Sequence, residues 1–248
     1  MFNPSNIGRW LACTLACLAL WGGLPATGLA DVFLEGEGFV VVLARGGEPV
    51  HLEGGLVEVV VSLAGAPPGA LEAVERAFGS WEKALAACGS ALRFRVSATG
   101  EEGRLCQRDG RNFVFWGECR DVARTRTYSR PERPATIHGF DIILNRAKPW
   151  GVAEDGRVGF DPESVLAHEI GHVLGLADVL RPAPQEPGES SNRELTMYGW
   201  GACGETLKRE LKAGERRAVE FLYGRPGGPA SPPALAERAL LDSAPACP

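Results

Sequence analysis

Apolar and polar positions along the chain mark out alternating strands and helices. Leu56-Val57-Glu58-Val59-Val60-Val61-Ser62-Leu63 is β-branched and partly alternating, which predicts a strand with one wholly apolar face. Pro67-Pro68-Gly69 breaks it. Leu71, Val74, Phe78, Trp81 and Leu85 then recur at steps of three and four, with Glu72, Glu75, Arg76, Glu82 and Lys83 between them. That spacing predicts a long amphipathic helix lying on a sheet. Leu92 to Val96 alternates as a half-exposed strand, and Asn112 to Trp116 forms another after the turn Asp109-Gly110. Residues 120 to 128 intersperse Val122, Thr125, Thr127 and Tyr128 with arginines, as suits an edge strand protected by charge. A solvated strand face is the default role for Arg124 and Arg126.

A Pro-containing loop at 131 to 134 precedes a further strand from Ile137 to Asn145. Pro149 to Gly159 reads as a Gly-rich loop. Asp161-Pro162-Glu163 then has the form of a helix start, with a capping carboxylate followed by proline at the first helical position. Residues 181 to 194, rich in Pro, Glu and Ser, predict a surface loop. A last helix is expected from about Glu215 to Leu222, with Ala218, Val219 and Leu222 inward and Gly224 at its end. The Pro/Ala-rich tail, residues 225 to 248, lacks a core pattern and reads as disordered.

Composition changes this picture little. The 248 residues suffice for one domain with a sizeable core, and 45% hydrophobic with 23% charged residues is ordinary for a soluble globular protein. The formal charge of −5 comes without a basic cluster, which argues against nucleic acid as partner. The N-terminus changes it more. Arg9, an uncharged stretch from Trp10 to Leu24, and Gly28-Leu29-Ala30 have the form of a signal peptide over residues 1–30, cleaved after Ala30. The expected product is secreted or periplasmic and free of the membrane. Residues 31–55 then form an N-terminal extension, and 56–224 the functional domain. Five cysteines remain after cleavage: Cys88, Cys106, Cys119, Cys203 and Cys247. At most two bridges can form among them, and Cys106 with Cys119, which flank a predicted strand, is the first pair to test.

The chemistry concentrates in residues 161 to 178. His168 and His172 are four apart, so on a helix both imidazoles stand on one face and can grip a single ion. Glu169 leaves the helix at a neighbouring angle, suited to a water on that ion rather than to the ion itself. Gly175 can take positive φ and end the helix in a sharp turn. Asp178 follows, and its carboxylate can return to complete three protein ligands with a fourth position left for water. The alternative is that Asp178 is a helix-end or turn residue, with another third ligand.

The string His168-Glu169-x-x-His172-x-x-Gly175-x-x-Asp178, followed by Met197, resembles the metzincin clan of zinc endopeptidases. The surrounding sequence is most similar to bacterial matrixin-like members, notably at Asp109 to Trp116, Phe140 to Asn145, and Leu222-Tyr223-Gly224. The resemblance implies an α+β, zincin-type fold. Its parts would be a twisted mixed five-stranded sheet, a long backing helix, an active-site helix and a C-terminal helix, with a substrate cleft beside the edge strand. It implies one catalytic Zn2+ held by His168, His172 and Asp178, and Met197 in a Met-turn beneath the metal. It leaves structural Ca2+ open. The activity implied is peptide-bond hydrolysis through a zinc-bound water activated by Glu169, on protein or peptide substrates, by a monomer. Two departures stand out. Matrixins carry a third histidine where this chain has Asp178, an exchange seen in snapalysin-type members, and no matrixin-like Pro-Arg-Cys-Gly latency segment is found. A catalytically inactive zinc-containing binding module of the same fold is the alternative.

Overall fold

The computed structural model describes residues 32–36, 38–103, 110–151, 159–179 and 192–224. The predicted signal peptide, Cys106, most of the two predicted loops at 149–159 and 181–194, and the tail lie outside the described residues. The order is β1 (Val32–Gly36), β2 (Phe39–Leu43), β3 (His51–Leu52), β4 (Leu56–Ser62), α1 (Ala70–Ala87), β5 (Arg93–Thr99), β6 (Asn112–Gly117), β7 (Ala123–Arg130), β8 (Arg133–Asn145), α2 (Pro162–Val173), β9 (Leu176–Ala177) and α3 (Ala213–Tyr223).

The main sheet is mixed and mostly parallel. β5, β4, β6 and β8 are parallel neighbours, and β7 pairs antiparallel with the other side of β8. It has six strands rather than the five expected. The sixth is β3, whose two residues run parallel to Thr136 and Ile137, where β8 continues past its pairing with β6. β7 and β8 also extend further than the sequence indicates, because Pro131 and Glu132 make a tight turn between Arg130 and Arg133. Pro134 lies within β8, where the register slips between Ser129 and Arg130. Residues 134 to 136 have no partner on β7, and such a bulge is where a residue without an N–H is tolerated.

The two faces of the sheet differ. Val57, Val59 and Val61 of β4, Val114 and Trp116 of β6, and Phe140, Ile142 and Leu144 of β8 point to the helices. They meet Val74, Phe78, Trp81 and Leu85 of α1 and Val165, Leu166, Ile170 and Val173 of α2 in one core. Phe113, Phe115 and Ile143 make a small cluster on the opposite face. At about 25 cal/mol per Å2 of apolar surface removed from water, each fully buried large side chain contributes roughly 1.5–3 kcal/mol to holding these layers together.

Residues ahead of β4 are part of this architecture. β1, β2 and β9 form a second, three-stranded antiparallel sheet, and Phe39, Val41 and Leu52 join the main core. Tyr223 of α3 ties this region down, since its hydroxyl accepts the Leu52 N–H at 2.8 Å and donates to the Leu174 carbonyl at 2.9 Å. Burial holds the Tyr223 phenol above its ordinary pKa, so it remains a donor at neutral pH.

Candidate metal centre

α2 starts as its sequence predicts. Asp161 accepts the Ser164 N–H at 2.8 Å and Pro162 occupies the first turn. The capping carboxylate is itself gripped by Arg209, with Nε to Oδ1 at 2.9 Å and Nη2 to Oδ2 at 2.6 Å. Arg76 of α1 pairs with Glu163 at 2.6 Å. All twelve residues of α2 are buried, so the helix has no solvated face and its position is set all round by packing. Trp81 of α1 donates its indole N–H to the Ala167 carbonyl at 2.8 Å, fixing the depth of the turn that carries His168.

The helix ends where Gly175 adopts φ +95°, and a Cβ there would overlap the Val50 carbonyl oxygen. Only glycine meets both demands without strain. The chain is then pinned on either side of Asp178. Before it, Val42 donates to the Gly175 carbonyl at 2.9 Å, and β9 pairs with Val40 and Val41 of β2. After it, Val179 donates to the Met197 carbonyl at 2.8 Å.

His168, His172 and Asp178 therefore converge. His168 Nε2 lies 3.2 Å from His172 Nε2 and 3.1 Å from Asp178 Oδ1, and His172 Nε2 lies 3.6 Å from the same oxygen. His168 Nδ1 faces the Thr196 carbonyl at 2.9 Å, and His172 Nδ1 faces the Leu176 carbonyl at 2.9 Å. A carbonyl only accepts, so each Nδ1 carries the hydrogen and each neutral ring turns its Nε2 lone pair toward the other. Asp178 Oδ1, buried without a hydrogen-bond donor, adds a third electron-rich atom to the same small space. Three such atoms repel one another unless a cation sits among them. Ligands about 2.0–2.2 Å from a tetrahedral zinc stand roughly 3.3 Å apart, which matches this triangle. Burial opposes the imidazolium at His168, yet the adjacent Asp178, with the charge of Glu169 behind, outweighs it and raises the pKa, so the pocket favours positive charge.

Glu169 is not one of the clustered ligand residues. Its Oε2 accepts the Thr125 hydroxyl at 2.6 Å, while Oε1 is buried without a hydrogen-bond partner. Met197 is fully buried, and its sulfur rests against Gly171, the residue before His172, where any side chain would collide with it. Glu215 holds this floor, with Oε1 accepting the Met197 N–H at 3.1 Å and Oε2 the Lys212 N–H at 3.0 Å.

Thr125 and Glu215 escape a reading of the sequence. Their only signals are a hydroxyl on the inward register of an edge strand, between Arg124 and Arg126, and an acid three residues into the last helix. His51 and His138, the other two histidines, stand apart from the cluster, as their positions in the sequence suggest.

A mixed sheet with three helices, and a buried helix presenting a His-His-Asp triad beside a carboxylate, defines the class of zinc-peptidase-like proteins. Comparison with known proteins agrees. The matrixin family profile matches residues 68–224, and the chain belongs to that family. It is also 33% identical over 93 residues to a probable matrix metalloproteinase 095L of Invertebrate iridescent virus 3, across 37% of this chain and 22% of the viral protein. The chain therefore matches well under two thirds of that relative's length. Membership of the matrixins implies zinc as the metal and supports a metalloprotease.

Proposed function

We propose that this chain is a secreted, zinc-dependent endopeptidase with His168, His172 and Asp178 as metal ligands and Glu169 as general base. The observation that carries the reading is the unpartnered Glu169 Oε1, buried on the residue that follows His168 in α2. The bond to Thr125 uses only Oε2, and the open Oε1 is what proton transfer requires. Zinc, when bound, supplies a Lewis acid that acidifies water and polarises a peptide carbonyl.

Glu169 Oε1 takes the proton of the attacking water and passes it to the departing amine. The Nδ1–H bonds to Thr196 and Leu176 keep both imidazoles in the tautomer that leaves Nε2 free to ligate. Among the described residues β7 is paired on one side only, so its free edge can bind an extended peptide by main-chain hydrogen bonds. Residues 1–30 support export, by their signal-peptide form.

The test is zinc analysis of the purified protein together with cleavage of a peptide library, with and without a chelator. Glu169→Gln is expected to keep one zinc per chain and lose turnover by at least about 100-fold. Turnover retained in Glu169→Gln rejects the base assignment. Stoichiometric zinc in a wild-type protein that cleaves nothing favours the non-catalytic binding module.

A further inference from the structure

We propose that Thr125 is a positioning residue that selects which oxygen of Glu169 handles the proton. The inference rests on the peptidase reading and adds a residue to it. Thr125 sits on β7 in register with Ile142, 5% exposed, and its hydroxyl has one hydrogen to give. That hydrogen goes to Oε2 at 2.6 Å, the short separation of a charge-assisted bond. The hydroxyl oxygen also lies 3.2 Å from the Glu169 main-chain carbonyl, so Thr125 meets both ends of the same residue.

Three consequences follow from that geometry. First, Oε2 is occupied and Oε1 is the one carboxylate oxygen left to receive a proton. Second, a glutamate carboxylate ordinarily swings about its last torsion, and here a β-branched side chain with a stiff χ1 stops it. Third, Thr125 belongs to the strand whose free edge would hold the peptide. One residue thereby sets the distance between the scissile bond and its base, and losing the hydroxyl should weaken the chemical step more than peptide binding. Arg124 and Arg126, pointing to the other face of the sheet, cannot take over this role.

The competing account is that the hydroxyl merely fastens β7 to α2. The two separate in zinc-loaded protein assayed with an internally quenched peptide. Thr125→Val, nearly the same shape without the hydroxyl, is expected to lower kcat roughly 10- to 100-fold, hold KM within about threefold and keep one zinc per chain. Thr125→Ser restores the hydroxyl and is expected within about fivefold of wild type. If the valine variant does not fold, Thr125→Ala is compared with Thr125→Ser instead.

A readout independent of turnover is the thermal midpoint in a cycle with Glu169→Met. Removing the hydroxyl should lower Tm by about 3 °C or more in the wild-type background and by under about 1 °C where the carboxylate is gone. An active wild type whose Thr125→Val variant keeps its kcat, a serine variant as impaired as the valine one, or an additive cycle overturns the assignment. A zinc-bound wild type that cleaves nothing overturns the peptidase reading, which is a different result.

Discussion

Glu215 reaches from the first turn of α3 to accept the backbone N–H of Met197 at 3.1 Å, while its second oxygen caps its own helix at Lys212. One buried carboxylate thus joins the floor of the metal centre to the closing helix. Glu215→Gln presents an NH2 to one of those two donors and leaves it unsatisfied. The variant is expected to lose about 1–3 kcal/mol of stability in urea unfolding.

The same residue predicts a pH dependence. Burial raises the Glu215 pKa above its ordinary value near 4.5, against the opposing effect of backbone N–H bonds from Met197, Glu215, Lys212 and Thr196. The folded chain therefore holds this proton more tightly than the unfolded one. Its contribution to stability is full below pH 4.5 and declines as pH rises from there through the folded pKa. Urea midpoints measured from pH 4 to 8 should show this component of the slope in wild type and lack it in Glu215→Gln.

Asp161 has two tasks, capping α2 and receiving the fork of Arg209. Asp161→Asn keeps the cap and weakens the ion pair, whereas Asp161→Ala removes both. A lost cap costs about 1 kcal/mol, and the loss of both charge-assisted bonds from Arg209, which keeps its contact with Glu163 at 3.5 Å, adds a further cost of roughly 1–3 kcal/mol. The expected order of stability is wild type, Asp161→Asn, Asp161→Ala, and thermal unfolding checks it.

Asp178 is expected to contribute metal affinity directly. Asp178→Ala should weaken zinc binding at least about tenfold in competition with a chromophoric chelator. Stripping zinc from the wild type should lower its thermal midpoint, and at zinc concentrations about 100 times Kd the restored stability is roughly 2.7 kcal/mol. An unchanged affinity in Asp178→Ala would remove it from the ligand set.

Cys119 carries a thiol rather than a bridge in the structure, and its sulfur lies 3.5 Å from the Asp121 carbonyl it donates to. Burial pushes its pKa up to about 11. Thiolate is the reactive form, so iodoacetamide at pH 8 should label the exposed Cys203 well before Cys119, as peptide mass mapping will show.

Legibility from sequence followed the range of the interactions. α1 and β4 to β8 were readable because their apolar positions keep a period of 3.6 or 2 against one core. The metal helix was readable from its motif and cap alone, since a helix buried on every side has no periodicity to display. β2 and β3 went unseen because short strands gain their stability from partners, here Leu176, Ala177, Thr136 and Ile137, far along the chain, and β1 is added at the outer edge of β2. Thr125 is 44 residues from Glu169 and Met197 is 18 from Glu215, and no local pattern joins such pairs. His168, His172, Gly175 and Asp178 lie within one helix and one turn, so their spacing alone brought them together on paper.

The family match begins at residue 68, yet the strand that braces the Gly175 turn ends at Leu43 and the carbonyl packed behind it belongs to Val50. A recombinant protein begun at Leu56, so that the main sheet keeps β4, would keep both histidines on their helix while Asp178 swung on a tether held at one end. Such a truncation would give a leaky two-point grip on zinc, and a mutational survey confined to the matched span would blame the motif for a fault lying upstream.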